Sequence, residues 1–192
     1  SNYYASIKNA PRNNTYSMQL TQSMVERNFT SQVSSSKVLI PYDGNFTKGK
    51  GDESYKQIFD GNPYTKWCIQ MFDDGLFFTS RELDYAYVEF HSAAPISPKG
   101  FTITTANDIS VFPGRNPTTF ELYAKKSVDD GIYVLIDRHT LDLPTQNVTR
   151  KSYTFSDGGK EATGMQYFRI VISDIKDHDA EWMQFSEFEF DY

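Results

Sequence analysis

The sequence predicts an all-β protein, an antiparallel β-sandwich. Apolar and polar residues alternate over many short runs, which is the period of half-buried strands. Gly, Pro, Asn and Asp separate these runs, and no long run shows the helical period, as expected when short strands are joined by turns. Aromatic residues make up 16% of the chain, with 15 Phe and 13 Tyr, and such residues are enriched in strands.

The first 36 residues differ from the rest of the chain. They are rich in Asn, Ser, Thr and Gln and show no sustained period. The only element predicted there is a short helix over 18–27, whose apolar residues are loosely spaced. We therefore predict that residues 1–36 form a polar lead-in or linker and that residues 37–192 form the β-sandwich domain.

The elements of the predicted sandwich follow one another in order from residue 37. The first strand is 37–40, which Pro41 stops, since proline lacks the N–H that a strand ladder needs. Residues 42–52 are a loop, and 54–59 form one helical turn. The remaining predicted strands are 65–70, 85–90, 101–105, 120–124, 133–137, 151–155, 167–173 and 183–190.

The last predicted strand changes phase. Met183 and Phe185 share one face, whereas Phe188 and Phe190 share the other. A one-residue register change of this kind requires a bulge, and it falls at Ser186 and Glu187. Such a bulge either turns a carbonyl and the Glu187 carboxylate toward a metal ion or leaves that carboxylate in solvent.

Composition excludes several kinds of partner. The net charge is 19 − 25 = −6, and no cluster of Lys and Arg rises above the background, so nucleic acid is excluded and a membrane surface is not an expected partner. No apolar run approaches the roughly 18 residues of a membrane span. Cys68 is the only cysteine, so no intrachain disulfide forms, and its place beside Trp67 predicts a buried, inert thiol.

A compact set of oxygen donors lies just before Trp67. Asp60 and Thr65 are separated by a Gly-Asn-Pro turn, whose backbone can point carbonyl oxygens inward. Carboxylate, hydroxyl and carbonyl oxygens are the hard donors that Ca²⁺ prefers, and a tight site needs more than one carboxylate. Glu187, near the end of the chain, is the candidate for the second carboxylate.

Several segments, in order, resemble the discoidin or coagulation-factor C-type domain of the galactose-binding-like superfamily, which includes the family 32 carbohydrate-binding modules. The resemblance covers about residues 37–192. The segments that carry it are 58–62 (IFDGN), 65–67 (TKW), 87–90 (YVEF), 100–108 (GFTITTAND), 114–117 (GRNP), 120–124 (FELYA), 168–170 (FRI) and 184–190 (QFSEFEF).

The resemblance implies a jelly-roll β-sandwich whose first and last strands lie close together around a structural Ca²⁺. It implies that the ion is held by the carbonyl oxygens of Gln57, Asn62, Thr65 and Ser186, the Thr65 hydroxyl, and the carboxylates of Asp60 and Glu187. One departure concerns Arg115: many relatives have Arg-Asp-Pro where this chain has Arg-Asn-Pro, so a carboxylate that would anchor the arginine is missing.

A sugar site needs an aromatic ring that stacks on the sugar and polar groups that bond its hydroxyls. In a β-sandwich these groups lie on loops, and the loops 71–83, 107–116 and 174–182 carry them. From these loops the predicted ligand-binding residues are Asn107, Arg115, His178 and Trp182. The alternative for three of them is structural: bonding to loop backbone for Asn107 and Arg115, and core packing for Trp182.

Catalysis is not predicted. Neither His-Glu-x-x-His nor Gly-x-Ser-x-Gly occurs, and the adjacent aspartates at 73–74 and 129–130 precede glycines, as turn residues do. We expect a calcium-stabilised, non-catalytic carbohydrate-binding module, a monomeric unit of a larger extracellular or cell-surface protein such as a glycoside hydrolase, that binds a galactose-type glycan. The alternative is a protein-interaction or adhesion domain of the same fold without a sugar site.

Overall fold

The computed structural model describes residues 17–19, 37–42, 49–50, 52–72 and 85–192. The strands in these ranges are β1 (Ser17–Gln19), β2 (Leu39–Pro41), β3 (Gly49–Lys50), β4 (Glu53–Ser54), β5 (Trp67–Gln70), β6 (Ala86–Ile96), β7 (Gly100–Thr104), β8 (Pro117–Lys125), β9 (Val134–Thr140), β10 (Thr149–Thr154), β11 (Met165–Ile175), β12 (Trp182–Phe185) and β13 (Glu187–Asp191). Short 3₁₀ helices span Tyr55–Phe59, Pro113–Arg115 and His178–Ala180.

Two larger sheets form the sandwich, and every strand pair in them is antiparallel. The first has the order β2-β6-β11-β8-β9 and the second the order β1-β10-β7-β13. Two small sheets, β12-β5 and β3-β4, accompany them. The predicted antiparallel β-sandwich is therefore confirmed.

Aromatic rings join the two larger sheets. Phe101 of β7 stacks on Phe120 of β8, with 4.5 Å between ring centroids. Phe190 of β13 lies 4.8 Å from Phe168 of β11 by the same measure. All four rings are buried, and contacts of this kind contribute beyond the area they bury. The core thus explains why so many of the predicted strands alternate phenylalanine with polar residues.

The short helix predicted over 18–27 is wrong at its start. Met18 lies in β1, where it pairs with Arg150 of β10, because backbone pairing at a sheet edge outweighs a weak helical pattern. Gln19 lies in β1 as well, while residues 20–27 lie outside the described residues, as do residues 73–83 of the loop predicted over 71–83. Pro41 ends β2, as predicted, and pairs there with Phe90 of β6.

The phase change in the last strand is a change of sheet. Phe185 of β12 pairs with Trp67 of β5, whereas Phe188 of β13 pairs with Ile103 of β7. Both phenylalanines are buried, so the residues on each side of the break face the same core from different sheets. The single residue between the strands, Ser186, makes the crossing that the sequence predicted as a bulge.

Candidate functional site

The predicted metal loop is held by bonds within the loop itself. The 3₁₀ helix Tyr55–Phe59 ends at Asp60, whose N–H donates to the Gln57 carbonyl at 3.4 Å. Gly61 follows with φ 72°, a conformation that favours glycine. The Asp60 carboxylate then accepts from the Asn62 N–H at 2.8 Å and from the Thr65 hydroxyl.

The Thr65 hydroxyl completes this cluster. Its oxygen lies 3.0 Å from the Asn62 carbonyl oxygen, to which the Thr65 N–H also donates at 3.3 Å. One carboxylate, one hydroxyl and one carbonyl of the predicted ligand set are therefore already grouped within a single turn, because the chain between Asp60 and Thr65 folds back on itself.

Glu187 of β13 meets this turn. Burial and, next, the Asp60 carboxylate beside it hold the pKa of Glu187 well above its usual range, while the backbone N–H groups of Gly61 and Asn62 act in the opposite direction. Its Oε1 atom is buried, and it accepts no hydrogen bond within the part of the chain that the structure describes. Two adjacent carboxylates with an unsatisfied buried oxygen are an arrangement that a cation stabilises.

The donor chemistry fits calcium better than a transition metal. The atoms grouped there are oxygens, whereas zinc sites are usually built with imidazole nitrogen and thiolate sulfur. Two carboxylates with neighbouring hydroxyl and carbonyl oxygens are the hard donors of a Ca²⁺ site. Ser186 is held beside them, since its N–H donates to Thr104 and its hydroxyl to Thr105, both at 2.9 Å.

Two of the predicted ligand loops pack directly against each other. The Asp177 N–H donates to the Gly114 carbonyl at 3.0 Å, and the Lys176 N–H donates to the Asn116 carbonyl at 2.9 Å. A Cβ atom at Gly114 would lie 2.7 Å from the Asp177 Cβ and 3.0 Å from that of Ala180. Glycine is therefore the residue that lets loops 107–116 and 174–182 meet.

Arg115 is held without the carboxylate that many relatives supply. Its guanidinium lies 3.9 Å above the Phe112 ring and donates to Gln184 Oε1 at 3.3 Å. Asn116 is buried, and its amide donates to the carbonyls of Leu143 and Pro144. An aspartate could not donate to those carbonyls, so the departure at 116 serves the loop 141–148 rather than the arginine.

His178 is one of the exposed residues among the predicted ligand residues. Its side chain is 64% exposed, its Nε2 contacts the Asp174 carboxylate, and its ring stacks on Phe72 at 4.4 Å. The Glu181 carbonyl accepts from the N–H groups of Met71 and Phe72, both at 2.9 Å, which ties Phe72 to this loop. An exposed imidazole on an aromatic ring is suited to a sugar, which offers both hydroxyls and an apolar face.

Trp182 and Asn107 are both bonded to other segments of the domain. Trp182 is half-buried at the start of β12 and pairs with Gln70. The Asn107 amide donates to the Tyr64 carbonyl at 3.2 Å. Backbone hydrogen bonds therefore join the two loops that carry Arg115 and His178, whereas Asn107 is bonded to the loop that carries Asp60.

Comparison with known proteins gives similarity at the level of solved structures. No family model matches the sequence, and no curated protein matches it at a significant level. The CBM32-1 and CBM32-2 domains of Clostridium perfringens ZmpB, in complex with GalNAc, have a TM-score of 0.56 at 14% identity, covering 99% of this chain and 38% of that one. The chain has the galactose-binding-like β-sandwich fold.

Two single domains agree with this assignment of a galactose-binding-like fold. CpGH89CBM32-5 from Clostridium perfringens, in complex with GalNAc-β-1,3-galactose, has a TM-score of 0.55 at 14% identity, covering 82% of this chain and 96% of that one. The F5/8 type C domain of a Bacteroides fragilis protein has a TM-score of 0.55 at 13% identity, covering 79% and 88%. The discoidin-like jelly roll expected from the sequence is thus confirmed as the fold. The chain spans under two fifths of the length of the ZmpB structure.

A polar network in this galactose-binding-like domain was not predicted from the sequence. The Lys66 ammonium donates to both Asp108 carboxylate oxygens and to Gln184 Oε1, each at 2.9 Å. Gln184 Nε2 donates in turn to Asp108 Oδ1 at 2.8 Å. Gln184 is fully buried between the core residues Met183 and Phe185. A glutamine between two core positions was the signal available in the sequence, since a buried amide requires partners.

Proposed function

We propose that this domain is a non-catalytic, calcium-stabilised carbohydrate-binding module, accessory to an extracellular or cell-surface protein that acts on or adheres to glycans. The observation that supports the proposal is the contact between loops 107–116 and 174–182, since the first carries Arg115 and the second carries the exposed His178, whose ring stacks on Phe72. A cation, an imidazole and an aromatic ring on adjoining rigid loops match the mixed polar and apolar surface of a sugar.

The solved structures of similar fold support the substrate class. Those from Clostridium perfringens were determined with GalNAc, with GalNAc-β-1,3-galactose and with galactose. We therefore propose a galactose-type glycan as the ligand and a monomeric module as the working unit. Weak affinity suffices for such a module, because a tethered partner near its glycan gains from effective concentration.

The test is calorimetry with galactose, N-acetylgalactosamine and GalNAc-β-1,3-galactose. We expect binding by the native chain and a roughly 10- to 150-fold loss for Arg115→Ala, the range for a lost hydrogen bond to a charged group. Arg138→Ala is the matched control, since Arg138 is an exposed arginine on β9, with its side chain 67% exposed. Failure of all three sugars to bind, extended to a glycan array, contradicts the proposal.

One observation favours the alternative of a protein-interaction or adhesion domain. β9 is the last strand of its sheet, and it and the preceding loop expose Ile132 by 78%, Val134 by 45% and Leu135 by 46%. An edge strand with exposed apolar residues is a surface to which another chain can add. This alternative predicts a blank glycan array and a partner whose binding is weakened by Leu135→Asp but not by Arg115→Ala.

A further inference from the structure

The turn 60–66, which carries part of the proposed metal site, and the predicted ligand loop 107–116 are hydrogen-bonded to each other at two places. The Asn107 amide donates to the Tyr64 carbonyl at 3.2 Å, and the Lys66 ammonium donates to both carboxylate oxygens of Asp108 at 2.9 Å. Tyr64 and Lys66 flank Thr65, the last residue of this turn in the proposed calcium set. Whatever fixes the turn that begins at Asp60 therefore also fixes the start of the loop that carries Arg115.

The other half of the metal site reaches the same loop from the opposite end of the chain. The Ser186 hydroxyl donates to the Thr105 carbonyl at 2.9 Å, and the Ser186 N–H donates to the Thr104 carbonyl at 2.9 Å. Ser186 directly precedes Glu187, and Thr105 lies two residues before Asn107. The segment 104–108 is thus bonded to Ser186, the neighbour of Glu187, and to Tyr64 and Lys66 of the turn that begins at Asp60.

Lys66 is the centre of this connection. Its side chain is only 11% exposed, and its ammonium also lies 3.4 Å from the Glu53 carboxylate. Gln184 Oε1 accepts from the Lys66 ammonium at 2.9 Å and from Arg115 Nη1 at 3.3 Å. The Gln184 side chain therefore links Lys66 to Arg115. A largely buried ammonium among these acceptors is costly to displace. The network therefore holds these side chains in a single arrangement.

The repulsion between the Asp60 and Glu187 carboxylates is the interaction that a bound cation would change. Without a cation, two adjacent carboxylates disfavour each other, which loosens the hold of the turn 60–66 on β13. With a cation between them, the same carboxylates are drawn together, and the turn is fixed. We infer that calcium occupancy of the Asp60–Glu187 site orders the ligand loop 107–116, and that Lys66 is the positioning residue that transmits this order to Arg115.

This inference rests on the proposed metal site and deepens the proposed function, because it makes calcium the ion that controls the order of loop 107–116. Coupling between two sites is reciprocal, so a glycan that binds the ordered loop also raises calcium affinity, by the roughly 5- to 150-fold typical of such coupling. The domain would then hold its glycan in a calcium-rich surrounding and release it when calcium is withdrawn.

The test measures amide hydrogen exchange in the loop, without any glycan. The N–H groups of Val111, Phe112 and Arg115 are hydrogen-bonded within the loop, so their exchange reports its order. We expect about tenfold faster exchange of these amides when calcium is removed by a chelator, with calcium binding itself measured by calorimetry. In Lys66→Met we expect calcium to bind within about threefold of the native affinity, and exchange to be fast with or without calcium.

Control variants make the result specific. Lys151→Met removes a lysine of similar exposure, 16%, whose carboxylate partner is Asp142, and it should keep the calcium-sensitive exchange of the native chain. Asp108→Asn, which keeps the shape of Asp108 but removes its charge, should behave like Lys66→Met even if that variant folds poorly.

Each outcome of the experiment tests a different part of the inference. Calcium binding with unchanged exchange in the native chain overturns the coupling, and calcium-sensitive exchange retained in both Lys66→Met and Asp108→Asn overturns the role of Lys66. Absence of calcium binding overturns the metal site and the coupling together. Calcium-sensitive exchange in a chain that binds no glycan supports the coupling and contradicts the proposed function alone.

Discussion

Glu187 shows how far a single residue could be predicted. The sequence allowed two readings, a metal ligand or a solvent-exposed residue on a bulge. The structure buries its Oε1 atom and places it beside Asp60, because β13 pairs with β7 and leaves the side chain against the turn 60–65. Solvent exposure was thus excluded by a contact between residues more than 120 positions apart, which no local pattern contains.

Removing the charge of Glu187 tests the metal site. In the native chain, a chelator should lower the free energy of unfolding by about 2.7 kcal/mol when calcium had been a hundredfold above its dissociation constant, which is about 5–11 °C in melting temperature for a domain of this size. In Glu187→Gln the chelator should have no effect, because one of the two carboxylates is gone.

The same melts carry a second expectation and a control. In chelator, Glu187→Gln should be more stable than the native chain, since it lacks the buried repulsion with Asp60. Glu161→Gln, which removes the charge of an exposed carboxylate, should melt like the native chain in both conditions. A native melt unchanged by chelator counts against the site.

Cys68 was predicted to be buried and inert, and its burial is confirmed. It is 3% exposed, and burial raises the pKa of its thiol to about 11, against the smaller opposing effect of Lys66. At pH 8 about 0.1% of such a thiol is thiolate, the reactive form. We expect a chromogenic disulfide reagent to react with it slowly in native protein and at once in urea. Rapid, complete reaction of the native protein contradicts this.

At the scale of elements, strand positions were predictable and strand partners were not. Alternation placed β7 and β11 within two residues of their observed bounds and β8 within three, because each has one face in the core. The change of sheet between β12 and β13 was visible only as a phase change, since alternation records which face is buried but not which strand lies alongside. Loop contacts were beyond prediction for the same reason.

Gly114 tests whether the contact between two loops makes the ligand site. In Gly114→Ala the new Cβ would lie 2.7 Å from the Asp177 Cβ, so the loops 107–116 and 174–182 must move apart. We expect about tenfold weaker glycan binding, measured by calorimetry, and a stability loss of about 1–3 kcal/mol from overpacking.

Gly131 provides the control for this substitution. A Cβ at Gly131 meets no atom within 4 Å, so Gly131→Ala should leave both binding and melting temperature unchanged. Native affinity in Gly114→Ala, with its melt lowered, would show that the close approach serves stability rather than the ligand site.

At the scale of the whole molecule, the core lies within the predicted domain 37–192. The buried cluster runs from Leu39 to Phe190, and the Lys37 ammonium lies 3.8 Å from the ring centroid of Tyr192, so the two ends of this range meet. In addition, β1 from the predicted lead-in pairs with the edge of β10. The lead-in therefore supplies at least one strand, although its role as linker or outer layer stays a prediction.

Deletion of residues 1–36 tests that role. The fragment 37–192 should fold, as judged by circular dichroism, because it retains the whole buried cluster. It should melt below the full chain, because the backbone groups of β10 that pair with β1 lose their partners. The same melting temperature for fragment and full chain would show that 1–36 is a linker that contributes nothing to the fold.

The sequence by itself determined the strands, the faces that enter the core and the residue types of the metal turn, because these depend on periods and spacings along the chain. The tertiary structure decided which strands pair, that Glu187 meets Asp60, that loops 107–116 and 174–182 touch, and that Lys66 joins the metal turn to the ligand loop. Those facts depend on antiparallel pairings between distant segments, and such pairings are set by the packing of the whole core.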